Sequence, residues 1–359
     1  MRQLIFLHAI MTKQISISQY FDQGLTLPII DVRSPAEYAK AHIPGAYNVA
    51  LFSNEERAAV GTTYKQQSRE AAILLAFDIT GPKWSGYINA CLQIAPQKEI
   101  VLHCWRGGMR SAAMAWALSM YGFTVHIISG GYKQYRAWVR AQFEKQYLLY
   151  VLGGMTGVGK TEVLQHLLQR QNQVIDLEKL ACHQGSAYGS MNKWVQPSQE
   201  QFENNLAKDL YHCNPQLPLW IEDESQMIGR CCIPLSLWQQ MRSSPLIVMH
   251  LPIDIRVERL MAEYAVLNKD FLIECTQRIS KRLGPRETRD AITAIRAGEM
   301  EHFIRLVLYY YDKQYSKGMS RRNAAMIFEL EMEQNDGKAH AIQLQQWIAA
   351  GIPYKKENT

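Results

Sequence analysis

Residues His103 to Ser111 read His-Cys-Trp-Arg-Gly-Gly-Met-Arg-Ser, and residues Gly154 to Thr161 read Gly-Met-Thr-Gly-Val-Gly-Lys-Thr. Both stretches have the residue types and spacing of a loop that holds an anion, and the first adds a nucleophile. Cys104 follows the run Glu99-Ile100-Val101-Leu102 and precedes a helical pattern from Ala112 to Tyr121. It should therefore stand where a buried strand ends and a loop opens a helix. Five residues separate it from Arg110, so Trp105, Arg106, Gly107, Gly108 and Met109 can curl around a ligand. Backbone N–H groups, the positive end of the following helix and the Arg110 fork would all point at it. The same field lowers a thiol's pKa and makes Cys104 a nucleophile. A buried structural cysteine before a glycine turn would leave the placement of Arg110 and Ser111 unused.

The second stretch is a G-x-x-x-x-G-K-[ST] phosphate loop between an apolar run, Tyr147 to Leu152, and a helical pattern over 161–170. Gly154, Gly157 and Gly159 let backbone N–H groups close on a di- or triphosphate. Lys160 reaches the outer phosphates, and Thr161 can hold Mg²⁺. Acids that could orient such a metal follow. Asp176 ends the run Val174-Ile175-Asp176, and Glu222, Asp223 and Glu224 end a short run beginning at Leu219. Sequence alone does not choose among them. His183 to Gly189, polar and glycine-bearing, reads equally as a site-lining stretch or a surface loop.

These loops need a scaffold, and 359 residues suffice for two or three domains. No run approaches the roughly 20 apolar residues of a membrane helix, and no signal-peptide pattern is present. Leu4 to Leu7 is a short apolar stretch, and Met11 is as good a start as Met1. Seven cysteines without a Cys-x-x-Cys pair argue against a disulfide framework or a zinc ribbon, and fit a reducing cytoplasm. Net charge is +6, unevenly spread. Residues 278–322 carry 11 basic against 5 acidic side chains, an excess that suits a polyanion or, more blandly, a solvated helical face.

Stepping along the chain, Pro28 to Arg33 predicts a buried strand. Ser34-Pro35-Ala36-Glu37 predicts a capped helix start, and His42-Ile43-Pro44-Gly45-Ala46 a turn into a strand at Tyr47 to Ala50. Helical patterns cover 54–60, 68–77, 87–95 and 111–121, with strands at 100–103 and 125–128 and a helix over 132–145. Strand–helix alternation predicts a parallel sheet covered on both faces, over a domain of residues 1–145. A second domain, 146–359, carries the phosphate loop and a further strand at 246–251. From Asp254 the pattern reads as helical to the end, with helices at 270–284, 287–298 and 299–314 and a break at Pro285. Arg278, Lys281, Arg282, Arg286, Arg289, Arg321 and Arg322 mark its basic stretch.

Asp31-Val32-Arg33-Ser34-Pro35, Glu37-Tyr38 and His42-Ile43-Pro44-Gly45-Ala46 resemble the rhodanese signature, and with the Cys104 loop they cover about the first 140 residues. A rhodanese-like domain fused to a phosphate loop is similar, end to end, to bacterial tRNA 2-selenouridine synthases. Asn54 to Thr62, His183 to Ser186 and Glu222 to Ser225 add to that likeness. The resemblance implies an α/β chain: an N-terminal rhodanese-like parallel-sheet domain, then a P-loop NTPase-like α/β domain with a helical C-terminal part. It implies two steps at the wobble uridine of tRNAs for Lys, Glu and Gln. Geranyl diphosphate first alkylates the sulfur of 2-thiouridine. Selenium from selenophosphate then replaces the geranylated sulfur, through a selenyl-sulfide on Cys104, as phosphate departs held by the loop and Arg110. On this reading Lys160 and Thr161 (through Mg²⁺) hold the geranyl donor's diphosphate, with ATP the other candidate ligand. The 278–322 segment holds the anticodon arm, and no tightly bound cofactor is expected.

Two other classes stay open on the residues themselves. His-Cys-x5-Arg-Ser is also the loop of cysteine phosphatases, some of which share the rhodanese fold, but this loop supplies no carboxylic acid to protonate a leaving oxygen. A regulatory nucleotide-binding module would leave Cys104 without work.

Overall fold

The computed structural model describes residues 12–183, 188, 195–264, 267–332 and 334–351. Residues 184–187 and 189, Met1, Met11, and Lys355-Lys356 lie outside them. The chain divides into two compact units, Met1–Gln142 and Phe143–Thr359.

The first unit is built on five parallel strands: β1 Thr12–Ile15, β2 Ile29–Asp31, β3 Tyr47–Asn48, β4 Glu99–His103 and β5 Thr124–Ile128. Their order across the sheet is β1-β5-β4-β2-β3, so β4, which delivers Cys104, is the central strand. Ile100, Val101 and Leu102 are fully buried, as a strand covered on both faces requires. Ile100 and Leu102 pack with Ile30, Val125, Met114 and Leu118 into one core. The helix expected after Ser34 is present at Pro35–Lys40, with a complete capping box between Ser34 and Glu37. The helices at Asn54–Gln66, Arg69–Thr80 and Trp84–Ile94 run longer than or offset from the sequence patterns.

The second unit holds β6 Leu149–Gly154, β7 Gln173–Ile175, β8 Leu219–Glu222, the two-residue hairpin strands β9 Met227–Ile228 and β10 Cys231–Cys232, β11 Leu246–His250 and β12 Ile327–Glu331. Its main sheet is parallel, in the order β12-β11-β6-β8-β7. The chain leaves β6, fills one side through β7 and β8, then crosses to β11 and β12. The C-terminal end of β6 is thus a topological switch point, where open α/β sheets bind ligands. The phosphate loop begins there.

Two corrections concern the C-terminal part. It is not helical to the end, because β12 pairs along its whole length with β11. Its sequence, Ile-Phe-Glu-Leu-Glu, is a short edge strand with only Leu330 fully buried, too brief a signal between two long helical patterns. The helix expected over 270–284 is two pieces, Lys269–Arg278 and Ser280–Leu283. Pro285 does more than end it: it opens the next helix, Pro285–Ala297, at the first position, where its missing N–H costs nothing. That helix and Met300–Met319 pack Ala291, Ile295, Phe303 and Val307 into a separate core with Val257, Leu260 and Leu272. Among the described residues no helix is long and apolar enough to cross a membrane.

Candidate functional site

Cys104 follows the last residue of β4 and lies five residues before the helix Met109–Met120. It is 3% exposed. Its Sγ accepts the Gly108 N–H at 3.3 Å and lies 3.4 Å from Ser111 Oγ, which itself reaches the Gly108 carbonyl at 3.0 Å. Burial pushes the thiol pKa up, but the Ser111 hydroxyl, backbone N–H groups of the loop and the Arg110 charge together outweigh it and lower the pKa. The thiolate is the reactive form. Alkylation of Cys104, followed by peptide mass spectrometry, should therefore rise with pH through an inflection below that of an ordinary cysteine thiol. An inflection at or above that value would contradict the account of the loop's field.

The loop is bolted from behind. Tyr132 N–H donates to the Cys104 carbonyl at 2.9 Å and Lys133 N–H to that of Trp105 at 3.0 Å. Gly131 has φ +59°, and a Cβ there would run into the Cys104 carbonyl oxygen and the Gly107 nitrogen. Only glycine meets both demands. Gly131→Ala should destabilise the first unit by about 2–3 kcal/mol, read as a lower denaturant midpoint. Beneath the loop, Arg33 forms a bidentate pair with buried Asp31, donates to the Ala41 carbonyl at 2.7 Å and stacks 3.8 Å over the Tyr132 ring. His103 is fully buried, its Nε2 3.7 Å from Asp31, and burial lowers its pKa despite Asp31. The Asp31-Val32-Arg33 piece of the signature thus props up the loop rather than facing a ligand.

Arg110 is placed differently from the sequence reading. It donates to Glu37 at 2.8 and 3.4 Å, and Arg57 stands 3.8 Å from the same carboxylate. Burial raises the Glu37 pKa, but Arg110 more than offsets it and the carboxyl is held below its usual range. Sequence reasoning took Glu37 only as a cap; nothing local joins it to a residue 73 positions away. Trp105, Arg106, Gly108 and Met109 are exposed, with Trp105 and Met109 showing apolar surface.

In the second unit the loop Met155–Gly159 joins β6 to the helix Lys160–Gln169, and Gly159 at φ +85° is the residue before it. Lys160 Nζ rests on the Gly154 carbonyl at 3.0 Å. The loop lines a cavity of about 1050 Å³. Its other walls include Glu178 and Glu224, the apolar faces of Leu260, Tyr264, Tyr311, Trp238 and Met319, and the cations Arg242, Arg259 and Arg321. Sequence reading missed Arg242 and Arg259, which lie outside the basic stretch. Arg259 is tied to Glu162 at 2.7 Å and to Asn335 at 2.6 Å. Burial and the nearby Arg322 lower the Arg242 pKa.

The four candidate acids sort into separate roles. Asp176 caps the helix Leu177–Ala181, accepting the Lys179 N–H at 2.8 Å. Asp223 accepts from Arg322 at 2.5 Å and from the Tyr315 hydroxyl at 3.3 Å. Side chains alternate along the end of β8, so Glu222 and Glu224 point away from Asp223. They meet Glu178, which sequence reasoning had not singled out: one oxygen from each of the three lies within 4.8 Å of the others. Burial, then repulsion from Glu178, raises both pKa values, that of Glu224 to about 8. The donors there are all oxygens, which fits the Mg²⁺ expected beside Thr161.

Of the basic residues, Lys281, Arg282, Arg286, Arg289 and Arg321 are exposed, and Arg278 is exposed but paired with Glu274 at 2.6 Å. Arg322 is corrected: its side chain is 2% exposed, bonded to Asp223 and to the Met241 carbonyl at 2.9 Å. It stabilises the interior and presents nothing to a polyanion.

Fold and site together define a two-unit α/β chain, a cysteine-loop unit of rhodanese type followed by a phosphate-loop unit. Residues 16–137 match the model of the rhodanese-like domain, and residues 147–343 that of the tRNA 2-selenouridine synthase AAA domain. The tRNA 2-selenouridine synthase of Bdellovibrio bacteriovorus is 30% identical over 370 residues, covering 87% of this chain and 94% of that protein. That of Aeromonas salmonicida is 31% identical over 346 residues, covering 86% and 91%. That of Nitrosomonas eutropha is 39% identical over 247 residues, and the match spans only 63% of that relative's length. The chain belongs to the tRNA 2-selenouridine synthase family.

Proposed function

We propose that this chain converts 2-thiouridine at the wobble position of tRNAs for Lys, Glu and Gln into 2-selenouridine, by geranyl transfer and then selenium exchange. The observation that carries the reading is the pairing of two unlike anion sites in one chain. One has a thiol of lowered pKa. The other is a phosphate loop opening on a cavity with a wide apolar wall.

In the first step the 2-thiouridine sulfur attacks C1 of geranyl diphosphate, the N3 proton is lost and pyrophosphate leaves. Lys160 and the loop N–H groups bind the diphosphate and stabilise the charge that develops on it. A divalent cation held there with Thr161 would neutralise part of that charge. Leu260, Tyr264, Tyr311, Trp238 and Met319 offer the ten-carbon chain an apolar surface. Nucleotide is the competing ligand, and affinity separates them. Burying a CH₂ contributes about 0.8 kcal/mol, so three or more buried groups should make geranyl diphosphate bind at least ~30-fold tighter than pyrophosphate. Calorimetric titration with geranyl diphosphate, pyrophosphate and ATP checks this. ATP binding tightest would overturn the assignment.

In the second step S-alkylation makes the sulfur a good leaving group. Electron balance shapes the role of Cys104. Selenium in selenophosphate is at the selenide level. Forming a selenyl-sulfide with release of phosphate removes two electrons, for which the exchange supplies no acceptor. The balanced route keeps selenium reduced: it adds at C2, geranylthiolate leaves, and the phosphoryl group passes from selenium to the Cys104 thiolate and then to water. Loop N–H groups would hold the phosphoryl oxygens, with Arg110 joining them on release from Glu37. The exposed basic side chains of 278–289 and Arg321 would take the anticodon-arm phosphates. The environment expected is the cytoplasm, where tRNA and reduced thiols coexist.

A further inference from the structure

The helix Met109–Met120 is apolar on both sides. Met114, Ala115 and Leu118 are buried in the core of the first unit. A surface helix ordinarily turns polar or charged residues the other way. Here the other side is Met109, Ala112, Ala113, Trp116 and Met120, which fall within about 100° of arc at 3.6 residues per turn. Met109 is 54% exposed, Trp116 49% and Met120 67%; Ala112 is exposed and Ala113 half-buried between them. Arg110 is the one charged residue of this helix, and it is bonded to Glu37 at 2.8 Å. The stripe therefore carries no charge of its own. A continuous exposed apolar face of this kind marks a binding surface.

We propose that this face holds the geranyl chain of S-geranyl-2-thiouridine while selenium is exchanged at C2. Three observations select that occupant. The stripe starts at the nucleophile, because Met109 closes the loop whose Gly108 N–H reaches Cys104 Sγ at 3.3 Å. Its length fits: Met109 to Trp116 is about 10 Å along the axis at 1.5 Å per residue, the reach of an extended geranyl main chain. Its lack of charge suits a hydrocarbon and gives nothing to an RNA phosphate. The inference rests on the two-step reading above and adds to it a chain surface for the second step, apart from the cavity wall that serves the donor in the first. It also orders the steps. A 2-thiouridine without the chain gains nothing on this face, whereas an alkylated one is held with its C2 at the mouth of the Cys104 loop.

The test uses the full-length protein, selenophosphate and stem-loops carrying either S-geranyl- or S-methyl-2-thiouridine, with selenium incorporation read by nucleoside mass. Both sulfurs are alkylated leaving groups, and only one bears the chain. The parent should convert the S-geranyl RNA with a kcat/KM at least ~30-fold higher, the equivalent of three or more buried CH₂ groups, with the difference in KM. Ala112→Glu takes nothing out of the core and puts a charge in the middle of the stripe. It and Trp116→Gln should each raise KM for the S-geranyl RNA at least about tenfold and leave the S-methyl RNA within about twofold. Trp116→Phe should recover most of the loss. A parent that converts both RNAs equally well, or variants that discriminate as the parent does, would overturn the chain site and leave the two-step reading standing. Conversion of neither RNA would instead remove that reading, and the site with it. A dimer in sedimentation that Ala112→Glu splits, with discrimination intact, would assign the face to a second copy of the chain.

Discussion

Cys104→Ser should leave geranyl transfer to 2-thiouridine within about twofold of the parent and cut selenium incorporation by at least ~10³-fold, in the range lost when a nucleophile is removed. The asymmetry follows from where the thiol sits. Sγ lies among N–H donors of a loop on the first unit, and Ser111 Oγ at 3.4 Å completes its surroundings. The lowered pKa favours the thiolate, whereas serine at the same place stays a neutral hydroxyl. The loop's supports, Gly131, Tyr132 and Lys133, hold backbone atoms and do not depend on sulfur. Serine should therefore fold and still bind an anion. Equal loss of both steps in a folded Cys104→Ser protein would break the division of labour between the two loops.

Lys160→Ala should lower geranyl transfer by about 10²–10³-fold, or about 2.7–4 kcal/mol of transition-state stabilisation, the usual cost of one electrostatic donor at a developing oxyanion. Among the described residues its Nζ has no carboxylate partner at hydrogen-bond distance; it rests on the Gly154 carbonyl at 3.0 Å. RNA already carrying S-geranyl-2-thiouridine bypasses the diphosphate, so its conversion by Lys160→Ala should stay within about threefold of the parent. Quantifying modified nucleosides from both RNA substrates separates the two outcomes. A comparable loss on pre-geranylated RNA would mean that the phosphate loop serves the second step too.

Both loops were legible in the sequence because their information is local. A strand, a glycine-bearing turn and a helix within about twenty residues suffice to place Cys104 or Lys160 at a strand end. What the sequence hid is long-range. Glu37 and Arg110 meet across 73 positions, and Glu178 meets Glu222 across 44. Strand alternation, a matter of which face each side chain takes, divides Glu222 and Glu224 from Asp223. Arg322 sat at the end of a basic stretch and read as surface, yet the Asp223 carboxylate draws it inside. β12 was missed for a related reason: an edge strand with one buried side chain is defined by its neighbour, β11, and not by its own pattern.

The most direct test of the central claim is a sequential reaction on a 2-thiouridine-containing anticodon stem-loop with purified protein. Geranyl diphosphate is added first and selenophosphate second, and the nucleoside mass is read by liquid chromatography–mass spectrometry after each. The account predicts a geranyl mass gain, then its loss together with replacement of sulfur by selenium. RNA that binds but passes through both additions with its mass unchanged would contradict it.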